Sequence, residues 1–206
     1  MSQFFYVHPD NPQKRLLNQA CEIIRNGGVV IYPTDSGYAI GCQVGDKAAL
    51  ERICQIRRID MDHDFTLMCK DVSELSTYAK VSNTAFRMLK NNTPGAYTFI
   101  FKATREVPRR LQNPKRKTIG IRIPDNIIAQ ELLETLGEPL MSSSLLLPGQ
   151  TFAESDPESI RDSLEHAVDL IIHGGYLAES QTTVIDLSED QAEVIRVGQG
   201  DPEPFE

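Results

Sequence analysis

No apolar run in this sequence is long enough to cross a membrane as a helix. Even Ala167-Val168-Asp169-Leu170-Ile171-Ile172 is short and interrupted by an acid. The first residues, Met1-Ser2-Gln3-Phe4-Phe5, lack the basic start and long apolar stretch of a secretory signal. These absences predict a cytoplasmic protein without a membrane partner. Cysteine is scarce as well. Cys21, Cys42, Cys54 and Cys69 form no C-x-x-C pair, which argues against a disulfide framework or a zinc site. They read as small buried hydrophobes. His8, His63, His166 and His173 form no close set, so no metal site is expected, and they offer no spacing from which to assemble a Ser-His-Asp triad. Neither G-x-x-x-x-G-K-[ST] nor G-x-G-x-x-G occurs, so a P-loop or Rossmann dinucleotide site has no support.

What is present is enough for a substantial core: 206 residues, 40% of them apolar. No linker, internal repeat or low-complexity segment divides the chain, and one domain over residues 1–206 is the simplest count. The net charge of -8 argues against a general nucleic-acid binder. Charge is nonetheless segregated. From Arg105 to Arg122 there are seven basic residues (Arg105, Arg109, Arg110, Lys115, Arg116, Lys117, Arg122) and one acid, Glu106. This stretch suits a local anionic ligand better than a long polyanion; a solvated basic loop is the alternative.

Asn11-Pro12 offers an N-cap and a first-turn proline for a helix that Gly27-Gly28 ends. Val29 to Tyr32 reads as a buried strand ending at Pro33. A helix is expected from Asp46 to about Ile56, then a strand over Thr66 to Cys69 and helices over Val72 to Tyr78 and Asn83 to Lys90. Strands are expected at Tyr97 to Ala103 and Thr118 to Ile123. A helix over Asn126 to Leu136 and a strand over Leu140 to Ser143 follow. Ser155-Asp156-Pro157-Glu158 is a helix start with Ser155 placed for a capping box. Leu170 to Ile172, Thr183 to Asp186 and Val194 to Arg196 complete the strands. The pattern predicts a two- or three-layer α/β fold on a mixed, twisted sheet.

Three runs could carry chemistry. Pro33-Thr34-Asp35-Ser36-Gly37-Tyr38 follows a strand directly and holds two hydroxyls, a carboxylate and a phenol. Ligands of open α/β sheets bind beyond strand ends, but alone the run reads as a turn. Thr93-Pro94-Gly95-Ala96-Tyr97-Thr98 is by itself a turn entering a strand. Leu140-Met141-Ser142-Ser143-Ser144 ends a strand with three hydroxyls, either an anion contact or a polar loop.

Taken together, these runs resemble the YrdC-like family, most closely the branch known as YciO. Pro33 to Cys42 resembles its PTDTVYGLG signature and Pro94 to Thr98 its PGPxT turn. Lys117 to Pro124 resembles T-x-G-x-R-x-P, Thr182 to Asp186 resembles STVVD, and Arg196-Val197-Gly198 resembles the late R-x-G. The resemblance implies an open twisted mixed sheet with flanking helices and a large basic concave pocket. The best-known members form threonylcarbamoyl-AMP from L-threonine, bicarbonate and ATP for tRNA modification. Carried over by position, Thr118, Ser142, Ser144 and Arg196 would contact ATP or AMP. Thr34, Ser36, Arg122 and Thr183 would hold the amino acid, and Mg²⁺ would arrive on the phosphates. Arginine suits carboxylate and phosphate at every relevant pH.

Four positions depart from the family pattern. Its K-x-R element reads Arg57-Arg58-Ile59 here, so Arg57 is the candidate catalytic and nucleotide-binding residue and Arg58 a possible substitute for the arginine lost at Ile59. Leu146 replaces the asparagine of S-x-N, and Cys69 stands where synthases often carry histidine. Three functions follow as alternatives. One is a weak threonylcarbamoyl-AMP synthase. Another is a module binding tRNA or double-stranded RNA through Arg109, Arg110, Lys115 and Arg116. The third is nucleotidyl transfer to another carboxylate.

Overall fold

A computed structural model describes residues 1–206. In chain order its elements are β1 (Gln3–Tyr6), α1 (Lys14–Arg25), β2 (Val30–Thr34), β3 (Gly37–Gln43), α2 (Lys47–Arg57), β4 (Thr66–Met68), α3 (Val72–Tyr78), α4 (Asn83–Asn92), β5 (Tyr97–Lys102), β6 (Thr118–Arg122), α5 (Ile127–Leu136), β7 (Leu140–Ser144), α6 (Pro157–Leu164), β8 (Leu170–His173), β9 (Thr183–Asp186) and β10 (Glu193–Arg196). Local chemistry sets most boundaries. The side chains of Asp46, Asp71, Ser82 and Asn126 accept backbone N–H groups in the first turns of α2, α3, α4 and α5. Gly137 ends α5 at φ 77, a conformation that costs glycine little.

Several boundaries differ from expectation. α1 begins at Lys14, not at Asn11-Pro12, because His8 Nδ1 accepts the N–H groups of Asp10 (3.2 Å) and Asn11 (3.0 Å) and holds them in a turn. α6 is capped by Asp156, whose carboxylate accepts from Glu158 and Ser159; Ser155 is not the cap. β2 does not stop at Pro33. It runs to Thr34, with Pro33 opposite Tyr38. β1 and β3 were not foreseen. In β3, six of the seven residues are buried, so the polar alternation that marks a half-exposed strand is absent.

The strands form one open sheet in the order β1-β8-β2-β3-β7-β4-β6-β5-β9-β10. Pairings are mixed: β1–β8, β2–β8, β4–β6 and β5–β9 are parallel and the others antiparallel. Helices cover both faces, giving three layers. On one face a continuous core joins α2, α3, α4 and α6 to the sheet through Leu50, Ile53, Leu75, Leu89 and Ile160. On the other, α1 and α5 pack Leu17, Ile24, Leu132 and Leu133 over Val30, Tyr32, Leu140 and Ile172. This second cover includes no residue of β5, β6, β9 or β10, and the site lies on the sheet surface it leaves bare.

Beneath the cover, Gly41 lies opposite Ser142 on β7. A methyl at Gly41 would stand 2.7 Å from Ser142 Oγ and 3.1 Å from the Met141 carbonyl. Ser142 is itself bonded to the Tyr32 hydroxyl at 2.5 Å, so it cannot yield freely. Overpacking of this kind costs about 1–3 kcal/mol, and about 1 kcal/mol lowers Tm by roughly 2–4 °C in a chain of this size. Thermal melting of Gly41→Ala should therefore fall by at least that amount; an unchanged midpoint would contradict the packing.

Candidate functional site

Side chains alternate across a strand, so those on the bare face follow from the register. One row crosses five strands: Ser142 on β7, Thr66 on β4, Gly120 on β6, Ile100 on β5 and Asp186 on β9. Thr66, Thr98, Ile100, Thr118, Gly120 and Val184 make the floor of a cavity of about 400 Å³. Gly120 offers no side chain, and a methyl there would touch Thr98 and Thr66 at 3.4 and 3.5 Å. The floor at its centre is therefore backbone, open to a flat group. Leu111, Asn113 and Arg116 form one wall, Asp64 and Phe65 another, and Ser144, Thr182 and Arg196 close the far end. The last three also line a smaller chamber of about 80 Å³ with Ser36, Leu146, Thr151, Ser180 and Gln181.

Arg196 stands at the junction. Its Nε and Nη2 donate to the Thr182 carbonyl at 3.1 and 2.8 Å, and Nη2 also reaches Thr182 Oγ1 at 3.0 Å. Nη1 has no protein partner. Burial, and then the charge of Arg122, lower its pKa, as expected where two guanidinium groups raise one local potential. Arg122 is buried beside Asp35, Nη2 to Oδ1 at 2.7 Å, with Thr34 Oγ1 at 3.4 Å. Its Nε is buried without a partner. Arg116 is held at 2.7 Å by Asp186 and at 2.9 Å by Ser188. Burial alone would raise the Asp186 pKa, but hydrogen bonds from Ser188 and Arg116 outweigh it and the net shift is downward.

Thr118, Ser144, Arg196 and Ser36 come together around the two chambers. The others are placed elsewhere. Ser142 is fully buried under the Tyr32 hydroxyl. The Thr34 hydroxyl donates to the Gly37 carbonyl at 2.6 Å and accepts from the Ser36 N–H at 3.0 Å. Thr183 donates to the Gly200 carbonyl and accepts from Gly198, closing the loop after β10. Tyr38 donates to the Gly175 carbonyl at 2.7 Å, and burial raises its pKa to about 12. Of the run Pro33 to Tyr38, Ser36 alone lines a chamber.

Arg57 ends α2 with its guanidinium turned into the protein. It donates to the Leu146 carbonyl at 3.1 Å and to Ser143 Oγ, with His63 Nε2 at 3.3 Å. Burial lowers the pKa of Arg57. Burial and the Arg57 charge lower that of His63. Arg58 is the left-handed C-cap at φ 55, exposed and lining neither chamber. Ile59 packs on the core and Cys69 is buried within it. Among the basic residues of the loop before β6, Arg116 alone lines the main cavity. Arg109 lines a separate surface cavity with Arg105 and Lys117. Arg110 donates to the Gly45 carbonyl, and Lys115 is exposed.

Sequence reasoning missed Thr66, Thr98 and Asp64 as site residues. The only available signal was threonine recurring among apolar neighbours on three strands, which also fits a buried sheet face. No three or more His, Cys, Asp or Glu side chains converge on a metal-sized site, and Asp64 is the one carboxylate lining the cavity. No helix is long and apolar enough to cross a membrane.

A family model for Sua5, YciO and YrdC, described as "Telomere recombination", matches residues 22–198. The chain is 67% identical over 205 residues to YciO of Escherichia coli K12, covering 100% of both. The crystal structure of that protein superposes with a TM-score of 0.95 over 100% of each chain, at 66% identity. A threonylcarbamoyl-AMP synthase of Nitrosococcus oceani is 33% identical over 156 residues, 75% of this chain and 83% of the other. The fold also matches Sua5 of P. abyssi complexed with L-threonine, at a TM-score of 0.87 and 24% identity, over 96% of this chain and 58% of that one. The architecture and these similarities agree: the chain belongs to the Sua5/YciO/YrdC family and is related to threonylcarbamoyl-AMP synthases.

Proposed function

We propose that this protein binds an adenine nucleotide in the two-chamber cavity and forms threonylcarbamoyl-AMP slowly. The observation that carries the reading is Arg196, anchored through Nε and Nη2 with Nη1 free, where the flat threonine and glycine floor meets the small hydroxyl-lined chamber. A planar base suits the floor, and a phosphoryl group suits Arg196 and Ser144. The orphan Nε of Arg122 supports a second ligand. A buried unpaired donor costs about 1–3 kcal/mol, and a carboxylate oxygen, as in L-threonine or its carbamate, would relieve it. Attack of that carbamate on the α-phosphorus of ATP needs position and charge neutralisation, not a protein nucleophile. Bicarbonate supplies the carbamate carbon, and tRNA modification is the use to which the family puts the product. The cavity's single carboxylate does not cage a metal, so Mg²⁺ would be held mainly by the phosphates.

Slow synthesis follows from Arg57 and Leu146. Arg57 spends its donors on Ser143 and Leu146, and the Leu146 side chain offers the phosphates neither donor nor acceptor. Two lost polar contacts, at about 1–3 kcal/mol each, remove roughly 10¹·⁵–10⁴ of rate.

A second reading, binding of double-stranded RNA or tRNA, rests on the separate cavity of about 700 Å³ lined by Arg105, Arg109 and Lys117 with no acid. Phosphates would engage these cations in a salt-sensitive manner.

Three outcomes are expected. In calorimetric titration, AMP binds and Arg196→Ala weakens it about 10–100-fold, the worth of a charge-assisted hydrogen bond; unchanged affinity would sink the nucleotide assignment. With ATP, L-threonine and bicarbonate, pyrophosphate release runs at least about 30-fold below a family synthase assayed alongside, and Leu146→Asn accelerates it; a full wild-type rate contradicts the account of Arg57 and Leu146. For RNA, the triple variant Arg105→Ala, Arg109→Ala, Lys117→Ala lowers the salt slope of binding by about 2–3, and a slope that does not change removes the second reading.

A further inference from the structure

We infer that the cavity is charge-matched to a nucleoside monophosphate and discriminates against the triphosphate. This rests on the nucleotide reading above and narrows its ligand class. It follows from accounting for each arginine near the site.

A phosphate monoester carries about -1.5 to -2 charges near neutral pH, and each added phosphoryl group brings further anionic oxygens that need donors or cations. Four guanidinium groups lie close enough to matter, and three are committed. Arg57 is nine-tenths buried, 8% exposed, with Nε on the Leu146 carbonyl and Nη1 between Ser143 and His63. Arg122 is 3% exposed and shares its charge with Asp35. Arg116 lines the cavity, but Asp186 lies 2.7 Å from its Nη2. Arg57 and Arg196 face no carboxylate within salt-bridge distance, but of these two only Arg196 lines either chamber. Arg58 lines neither chamber, and Arg109 and Lys117 line a different cavity.

Against the one cavity-lining cation without an acid partner stands Asp64 on the wall of the same cavity. Its neighbour His63 adds little positive charge against it, because burial and the Arg57 charge lower the His63 pKa. One phosphoryl group can take the donors of Arg196 and Ser144. A second and third have no uncommitted cation to meet and would extend into a space that contains a carboxylate. The size agrees: about 400 Å³ with a side chamber of about 80 Å³ lies at the lower end of the usual range for small-molecule sites.

The test is calorimetric titration of the full chain with AMP, ADP and ATP, each with and without Mg²⁺. Affinity should fall in that order, with AMP at least about 10-fold tighter than ATP in both buffers. ATP binding as tightly as AMP in either buffer overturns the inference while leaving the nucleotide reading intact. Failure of AMP itself to bind overturns that reading. Asp64→Asn should bring ATP to within about 3-fold of AMP, and a ratio that stays at the wild-type value contradicts the role of Asp64. Asp62→Asn removes an equal charge from the same loop without touching the cavity wall. It should keep the wild-type ratio, and a matching collapse would show that loop charge in general, not the cavity wall, sets the preference.

Discussion

The buried ion pair between Arg122 and Asp35 ties the two halves of the sheet together at the site. Arg122 ends β6, on the bare side of the sheet, and Asp35 sits in the turn between β2 and β3, on the covered side. The second oxygen of Asp35 accepts the Asp125 N–H at 2.8 Å, which also positions the entry to α5. Breaking such a pair by removing one partner costs about 3–5 kcal/mol, because the other charge is left buried. With the turn pinned, Ser36 reaches the small chamber while Thr34 closes the turn itself. The same pair gives Arg122 an acid partner that Arg196 lacks, although the Arg122 charge still acts on Arg196.

A second constraint comes from Arg57. Its bonds to Ser143 and Leu146 join the end of α2 to the chain leaving β7, which carries Ser144 into both chambers. A lysine at this position has no planar fork with which to bridge a hydroxyl and a carbonyl. The geometry makes Arg57 a brace for the cavity wall.

The sequence made much of this architecture legible. The caps at Asp46, Asp71, Ser82 and Asn126 lie where short polar side chains precede apolar periodicity, and α3 matched to the residue. β3 was hidden because it is buried on both sides and contains Gly37 and Gly41, which weaken any strand signal. α1 started late because a histidine nitrogen five residues before its N-cap took the N–H groups that a helix start would have oriented. Thr118, Ser144, Arg196 and Ser36, singled out through their motifs, line the chambers. Thr66 and Thr98 were not singled out, since membership of one face depends on register between strands distant in sequence. The direction in which Arg57 points was equally out of reach. A motif position says where a side chain begins, and the partners that decide where it ends, Ser143 and Leu146, lie more than eighty residues away.

The central claim is that an adenine nucleotide lies on the bare sheet surface with its phosphate at Arg196. Backbone amide NMR during AMP titration tests this most directly. The account predicts saturable shifts at Thr66, Thr98, Thr118, Gly120, Ser144, Thr182 and Arg196, with little change at Arg105, Arg109 and Lys117. Shifts confined to those three basic residues, or none at the sheet surface, would contradict it.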